Sequence, residues 1–175
     1  AAKRGARVVL NARSVDTLEA VARTIQESGG TTLVIPADIS RPDECRHLVD
    51  AAVSQWGRID AIVNNAGVVQ PIARIADAEP MGWQENWSIN LLGPVLLSQA
   101  ALPYLRQSKG RAVHVSSGAA IKVIPGWSAY SVAKAALNHF NRMLAIEEPD
   151  ITTIVLRPGA VSVEDLEAVL QCHVA

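Results

Sequence analysis

The sequence is poor in aromatic residues, in cysteine and in net charge. Phe, Trp and Tyr make up only 4% of its 175 residues, so the core must be aliphatic, and no aromatic platform for stacking nucleic-acid bases stands out. Two cysteines, Cys45 and Cys172, are too few for a disulfide framework and share no metal-ligand spacing with the four histidines. No metal site is expected. The 16 Lys and Arg nearly balance 17 Asp and Glu, which leaves no basic surplus for phosphate backbones and argues against nucleic acid as a partner. No apolar run approaches the ~20 residues of a bilayer-spanning helix. The opening AAKRGARVVL also lacks the apolar core of a secretory signal. These absences predict a cytoplasmic globular protein without membrane contact, of a length that suits one domain.

What is present is an alternation. Five short runs rich in Val, Ile and Leu, at 7–11, 32–36, 60–64, 111–116 and 152–156, recur between segments of helical period. That pattern is the sequence form of a parallel α/β sheet whose strands are buried on both faces. Ser14 is placed to cap a helix whose Leu18, Val21, Ala22 and Ile25 form one stripe, ended by Gly29-Gly30. Ser40 with Asp43 resembles a capping box before a stripe of Cys45, Leu48, Val49, Ala52 and Trp56. A long helix is predicted over 83–106, bent at Gly93-Pro94 beside Asn90, and another over 128–147 with Ala133, Leu137, Phe140 and Leu144 inward.

The chemistry gathers on the last of these helices. Tyr130 and Lys134 are four residues apart and rise on one helical face. A lysine ammonium near a phenol favours the phenolate, which equips a tyrosine to exchange a proton with a carbonyl or an alcohol. Ser117 stands thirteen residues before Tyr130, directly after the apolar run 112–115, where open α/β sheets bind ligands. Alone, such a serine is more often a cap, but its spacing to Tyr130 favours it over Ser116. Asn64-Asn65-Ala66-Gly67 closes another strand, and Asn90 lies in the long helix. His114 reads as a core residue, Trp83 and Trp87 as packing, and Trp127 as a wall of the pocket beside Tyr130.

Taken in order, Asp38, Asn64-Asn65-Ala66-Gly67, Asn90, Ser117, Tyr130 with Lys134, and Arg157-Pro158-Gly159 resemble the short-chain dehydrogenase/reductase family in its single-domain, NAD(P)-dependent branch. The motif 64–67 and the tight spacing argue against the extended epimerase and dehydratase branch. The resemblance implies a Rossmann-like, doubly wound parallel sheet with helices on both faces, spanning residues 1–175 as one partial dinucleotide-binding domain. It implies hydride transfer between nicotinamide and a small carbonyl or alcohol, with Tyr130 as general acid/base, Ser117 orienting the substrate oxygen, Lys134 binding the nicotinamide ribose and assisting Tyr130, and Asn90 holding a water-linked proton relay. Asp38 is expected by the adenine and Asn64 by the adenosine ribose, with Ala66, Gly67, Pro158 and Gly159 along the cofactor. It further implies a homo-oligomer built through the helices carrying Asn90 and Tyr130. Ala12 and Arg13 stand where a carboxylate would accept the ribose hydroxyls of NAD. Arg13 therefore predicts NADP over NAD.

Three departures set this sequence apart from the family. Nothing matches the glycine-rich turn that receives the pyrophosphate in this family, and the tail 164–175 stops before the closing helix and strand. Val163 also stands where the family places threonine, with Ser162 one step out of phase. The sheet is thus expected to be incomplete, lacking its first and last strands, and residues 1–175 alone are expected to fold poorly and bind cofactor weakly. The alternative function is a non-catalytic remnant that acts as a binding or interaction domain.

Overall fold

A computed structural model describes residues 1–159 of the chain; Ser162, Val163, Cys172 and the tail 164–175 lie outside them. The strands are β1 (Arg7–Leu10), β2 (Thr31–Val34), β3 (Ala61–Asn64), β4 (Arg111–Val115) and β5 (Thr152–Leu156). The helices are α1 (Val15–Glu27), α2 (Pro42–Trp56), α3 (Pro80–Trp87), α4 (Gly93–Ser108) and α5 (Ser128–Glu147). All pairing is parallel: β1 with β2 in one sheet, and β3-β4-β5 in a second. Among the described residues no ladder joins β1 to β3.

Two apolar clusters follow from this division. Val8 and Leu10 of β1 pack on Leu18 and Ala22 of α1. The larger cluster joins Val49 of α2, Ile62 of β3, Ala101 and Leu105 of α4, Ala112 of β4, Leu144 of α5 and Ile151. Each Leu buried in this way stabilises the fold by about 1.5–3 kcal/mol. Burial along β3 and β4 alternates rather than running continuously, with Ile62, Asn64, Ala112 and His114 buried and the residues between them half-buried or exposed. The helical stripes are as expected, with Leu18, Ala22, Cys45, Leu48, Val49, Ala52, Ala133, Leu137 and Leu144 buried.

Three local expectations are corrected. Ser14 precedes α1 without a capping bond from its side chain and pairs instead with the Thr17 hydroxyl. Ser40 is not the cap of α2, which starts after Arg41 with Pro42 in its first turn; its hydroxyl bonds Asp38 instead. The bend in the long helix precedes Gly93-Pro94, because residues Ser88–Leu92 form a π turn between α3 and α4. Pro94 has no N–H to continue the α-helical ladder, and the N–H of Gly93 reaches back to the carbonyl of Ser88.

Taken as one unit, Pro80–Ser108 is 29 residues long and apolar enough, by length and composition, to cross a membrane, which the sequence reading did not anticipate. Its inner side serves the core, since Ala101 and Leu105 are fully buried in the larger cluster.

Candidate active site

The chemical residues sit where strands run out. β3 ends at Asn64, immediately before Asn65-Ala66-Gly67, and β4 ends at Val115, immediately before Ser116-Ser117. Carboxyl ends of parallel strands are where open α/β sheets take ligands, because the helix N-termini and free loops gather there.

Tyr130 and Lys134 occupy the first two turns of α5, and the Lys134 ammonium lies 5.7 Å from the centroid of the Tyr130 ring. Lys134 is only 3% exposed, and its Nζ donates to the carbonyl of Val115 at 2.9 Å. That bond fastens α5 to the end of β4. Among the described residues no carboxylate pairs with it. Burial pushes its pKa down from 10.5 to about 8, so the group remains mostly charged at neutral pH. A buried cation without a counter-ion costs stability. Buried ionisable groups with shifted pKa values concentrate at functional sites.

Ser117 proves to be both cap and candidate. Its Oγ accepts the N–H of Ala119 at 3.2 Å at the head of the short 3-10 turn Gly118–Ala120, which packs on α5. With an oxygen lone pair so engaged, the hydroxyl hydrogen is free to donate to a substrate oxygen. Ser116, by contrast, is buried with its hydroxyl unpartnered.

Gly67 lies between Asn90 and Lys134. A Cβ there would come 2.7 Å from Asn90 Oδ1 and 3.5 Å from Lys134 Nζ, so only glycine permits the approach. Asn90 sits in the π turn, fully buried; π turns inside helices recur at functional sites. Its Nδ2 donates to the Val68 carbonyl at 2.7 Å, and its Oδ1 accepts the Val68 N–H at 3.3 Å. Asn86, which the sequence reading missed, is equally buried and bonds both Asn90 and the carbonyls of Val68, Val69 and Gln70. Its signal was present as a second asparagine one helical turn before Asn90.

Asn64 departs from expectation. Its side chain turns into the core, 3% exposed, where Nδ2 faces Ser98 Oγ at 3.4 Å and His114 Nδ1 at 3.1 Å. Strand alternation dictates this, since Ile62 and Asn64 point the same way. An amide spent there cannot reach a ribose. His114 is a core residue, as expected, but only half satisfied: it packs edge-on against Phe140, and its Nε2 has no partner. Burial, then the charge of Lys134, pushes its pKa down to about 4.

A second group lies apart from Tyr130. Arg13 and Asp38 line one groove with Ser40, Gly82, Gln84, Glu85 and Ser88, about 470 Å³ in volume. Asp38 Oδ1 accepts both the N–H and the hydroxyl of Ser40. These bonds, aided by the charges of Arg13 and Arg41, hold its carboxyl below the usual carboxylate range. Ala66 is exposed beside Gly67, and the exposed Pro158 and Gly159 follow the carboxyl end of β5, Gly159 at φ +88°. Trp127 stands edge-on to Tyr130 at 5.8 Å. Trp83 and Trp87 are not core residues: they stack edge-to-face at 5.4 Å with Trp87 40% exposed.

The family model for short chain dehydrogenases matches residues 1–171. An 11-beta-hydroxysteroid dehydrogenase-like protein of Arabidopsis thaliana is 38% identical over 170 residues, covering 93% of this chain and 53% of that protein. An uncharacterized oxidoreductase of Schizosaccharomyces pombe is 44% identical over 113 residues, covering 65% of this chain and 46% of its own length. The chain thus spans about half the length of these curated relatives. Among solved structures, an alcohol dehydrogenase from the archaeon Thermococcus sibiricus, complexed with 5-hydroxy-NADP, superposes with a TM-score of 0.90 at 27% identity, covering 98% of this chain and 80% of that one. With its parallel α/β architecture and the order of its site residues, the chain belongs to the short-chain dehydrogenase/reductase family of oxidoreductases.

Proposed function

We propose that the protein transfers hydride between NADP(H) and a small carbonyl or alcohol substrate, with Tyr130 as the proton donor or acceptor. The observation that carries this is the buried Lys134 ammonium, held by the Val115 carbonyl and facing the Tyr130 ring. A group so costly to bury has a use only where charge develops nearby.

The residues fit a dinucleotide at both ends. The groove of Arg13 and Asp38 suits the adenosine end: the Asp38 oxygen not taken by Ser40 can accept an amino group, and Arg13 can pair with a 2′-phosphate. Lys134, beside which Gly67 presents no side chain, can hold the nicotinamide ribose. The relative complexed with 5-hydroxy-NADP supports the phosphorylated form; NAD is the weaker alternative.

NADPH, when bound, supplies the hydride. Ser117 donates its free hydroxyl hydrogen to the substrate oxygen and orients the carbonyl. Tyr130 gives its phenolic proton to the same oxygen as negative charge builds there. Lys134 stabilises the phenolate left behind, and Asn90 holds the loop through which that proton is replaced from solvent. Run backwards, the same groups oxidise an alcohol. Trp127 gives the pocket an apolar wall. A homo-oligomer is supported by an apolar groove of about 600 Å³ lined by Trp87, Leu91, Leu92, Val95, Ala136 and Phe140.

The test is NADPH consumption by the purified protein against aliphatic, aromatic and steroidal ketones. Ketone-dependent oxidation of NADPH supports the proposal. NADPH binding without turnover of any carbonyl, or no binding at all, favours the non-catalytic remnant.

A further inference from the structure

We infer that Asn86 is a positioning residue of this active site, acting through Asn90 to fix the loop 67–70 over Lys134; the inference rests on the hydride-transfer reading above. Asn86 is wholly buried one turn before Asn90, and a buried amide must find partners for two N–H groups and an oxygen. Nδ2 finds Gln70 O at 2.6 Å, Val68 O at 3.2 Å and Val69 O at 3.4 Å. With its nitrogen committed to carbonyls, Oδ1 is left to accept, and it takes the Asn90 Nδ2 at 3.0 Å.

That acceptance is one of four bonds that set which way round Asn90 sits, beside those from Nδ2 to the Val68 carbonyl and to the main-chain carbonyl of Asn86 at 3.1 Å and that from the Val68 N–H to Oδ1. Its Nδ2 faces Asn86 Oδ1 and the Val68 carbonyl, so its Oδ1 must point at the Val68 N–H and toward Gly67. A Cβ on Gly67 would in turn come within 3.5 Å of Lys134 Nζ. Asn86 thus works at two points of one loop, by direct bonds to residues 68–70 and by orienting the amide that touches residues 67 and 68. Without it, Asn90 loses one of its bonds and the carbonyls of Val68, Val69 and Gln70 lose their common donor, which loosens the loop that faces Lys134.

A residue that merely fills space would be replaceable by leucine, which is nearly the same size. We expect Asn86→Leu to lower kcat for carbonyl reduction by about 10-fold with a smaller change in KM. In an Asn90→Ala background the same change should cost about half as much as in the parent, because the part of its effect that runs through Asn90 is already lost while the direct bonds to residues 68–70 remain. Amide exchange followed by NMR gives a readout that needs no activity. The Val68 N–H, held by Asn90 Oδ1, should exchange about 10-fold faster in Asn86→Leu than in the parent, with Ile62 in the core unchanged. Should Asn86→Leu fail to fold, Asn86→Ser replaces it in both measurements.

Unchanged Val68 exchange overturns the inference whatever the activity shows. Equal acceleration at Val68 and Ile62 also overturns it, since that is general destabilisation. Full additivity with Asn90→Ala overturns the route through Asn90. A parent protein inactive on every carbonyl defeats the hydride-transfer reading instead, while selective exchange at Val68 still supports the positioning role.

Discussion

The half of the molecule built on β1 and β2 and the half built on β3, β4 and β5 hold different residues of the candidate site on different amounts of core. In the first, one ladder of four residue pairs and a buried cluster of four side chains stand behind Arg13 and Asp38, which form one wall of a groove whose other wall is α3 and the π turn after it. Side-chain amide bonds supplement them, with Asn11 Nδ2 donating to the carbonyls of Ile35 and Ala37. The second has two ladders, three helices on one shared cluster and the whole constellation of Ser117, Tyr130, Lys134 and Asn90. Groups that select a cofactor by charge tolerate an exposed, lightly braced setting. A buried ammonium and two buried asparagines do not, because each requires its neighbours to be held in place. The residues proposed for proton transfer sit on the better-packed half, and those proposed to read the cofactor's phosphate on the thinner one.

Removing the charge from the packed half should have the largest effect. Lys134→Ala is expected to lower kcat/KM by about 10³-fold and also to weaken NADPH binding. Steady-state kinetics together with a fluorescence titration of NADPH measure both, and loss of turnover with binding fully intact would show that Lys134 serves only Tyr130.

The packed half also has a pH liability. His114 is neutral in the fold, with a pKa of about 4 against 6.5 when unfolded, so the unfolded state binds more protons between those values. Stability is therefore complete above pH 6.5 and falls as pH drops toward 4, by about 3 kcal/mol in all. Urea midpoints measured from pH 7.5 to 4 should show this slope, and His114→Asn should flatten it. An identical slope in the variant would assign the loss to other groups.

On the thinner half, Arg13→Ala should cost about 10- to 100-fold in kcat/KM with NADPH and leave NADH nearly unchanged. Equal losses with both cofactors would mean that Arg13 supports the groove rather than reading a phosphate. The join between the halves is sensitive as well. A Cβ on Gly93 would lie 2.8 Å from Ile39 Cδ1 and 3.1 Å from the Ile39 carbonyl. Gly93→Ala should thus destabilise by about 1–2 kcal/mol, read as a lowered thermal midpoint. No change would show that Ile39 and its loop yield freely.

The legibility of the two halves differed in the same sense. β5 and α5 fall where the sequence placed them, at 152–156 and 128–147, because apolar period and the stop at Pro149 are local signals. Tyr130 and Lys134 were readable for the same reason, being neighbours by helical geometry alone. Asn64 was misplaced because its motif reports a backbone position, whereas its side chain obeys the strand's alternation and the polar partners buried across the sheet. Ser40 was read as a cap because its spacing to Asp43 is local, yet Asp38 offered it a better acceptor. Asn86 shows in the sequence only as a second asparagine one turn before Asn90, since its partners come with the loop 67–70 from a distant part of the chain.

The most direct measurement is single-turnover reduction of a ketone by NADPH in Tyr130→Phe beside the parent protein, with cofactor affinity determined on the same samples. Removing only the proton donor should leave NADPH affinity within about 2-fold and slow turnover by about 10²- to 10⁴-fold. Parental turnover in Tyr130→Phe would contradict the account, because the proton would then come from a group other than the one that Lys134 is buried to serve.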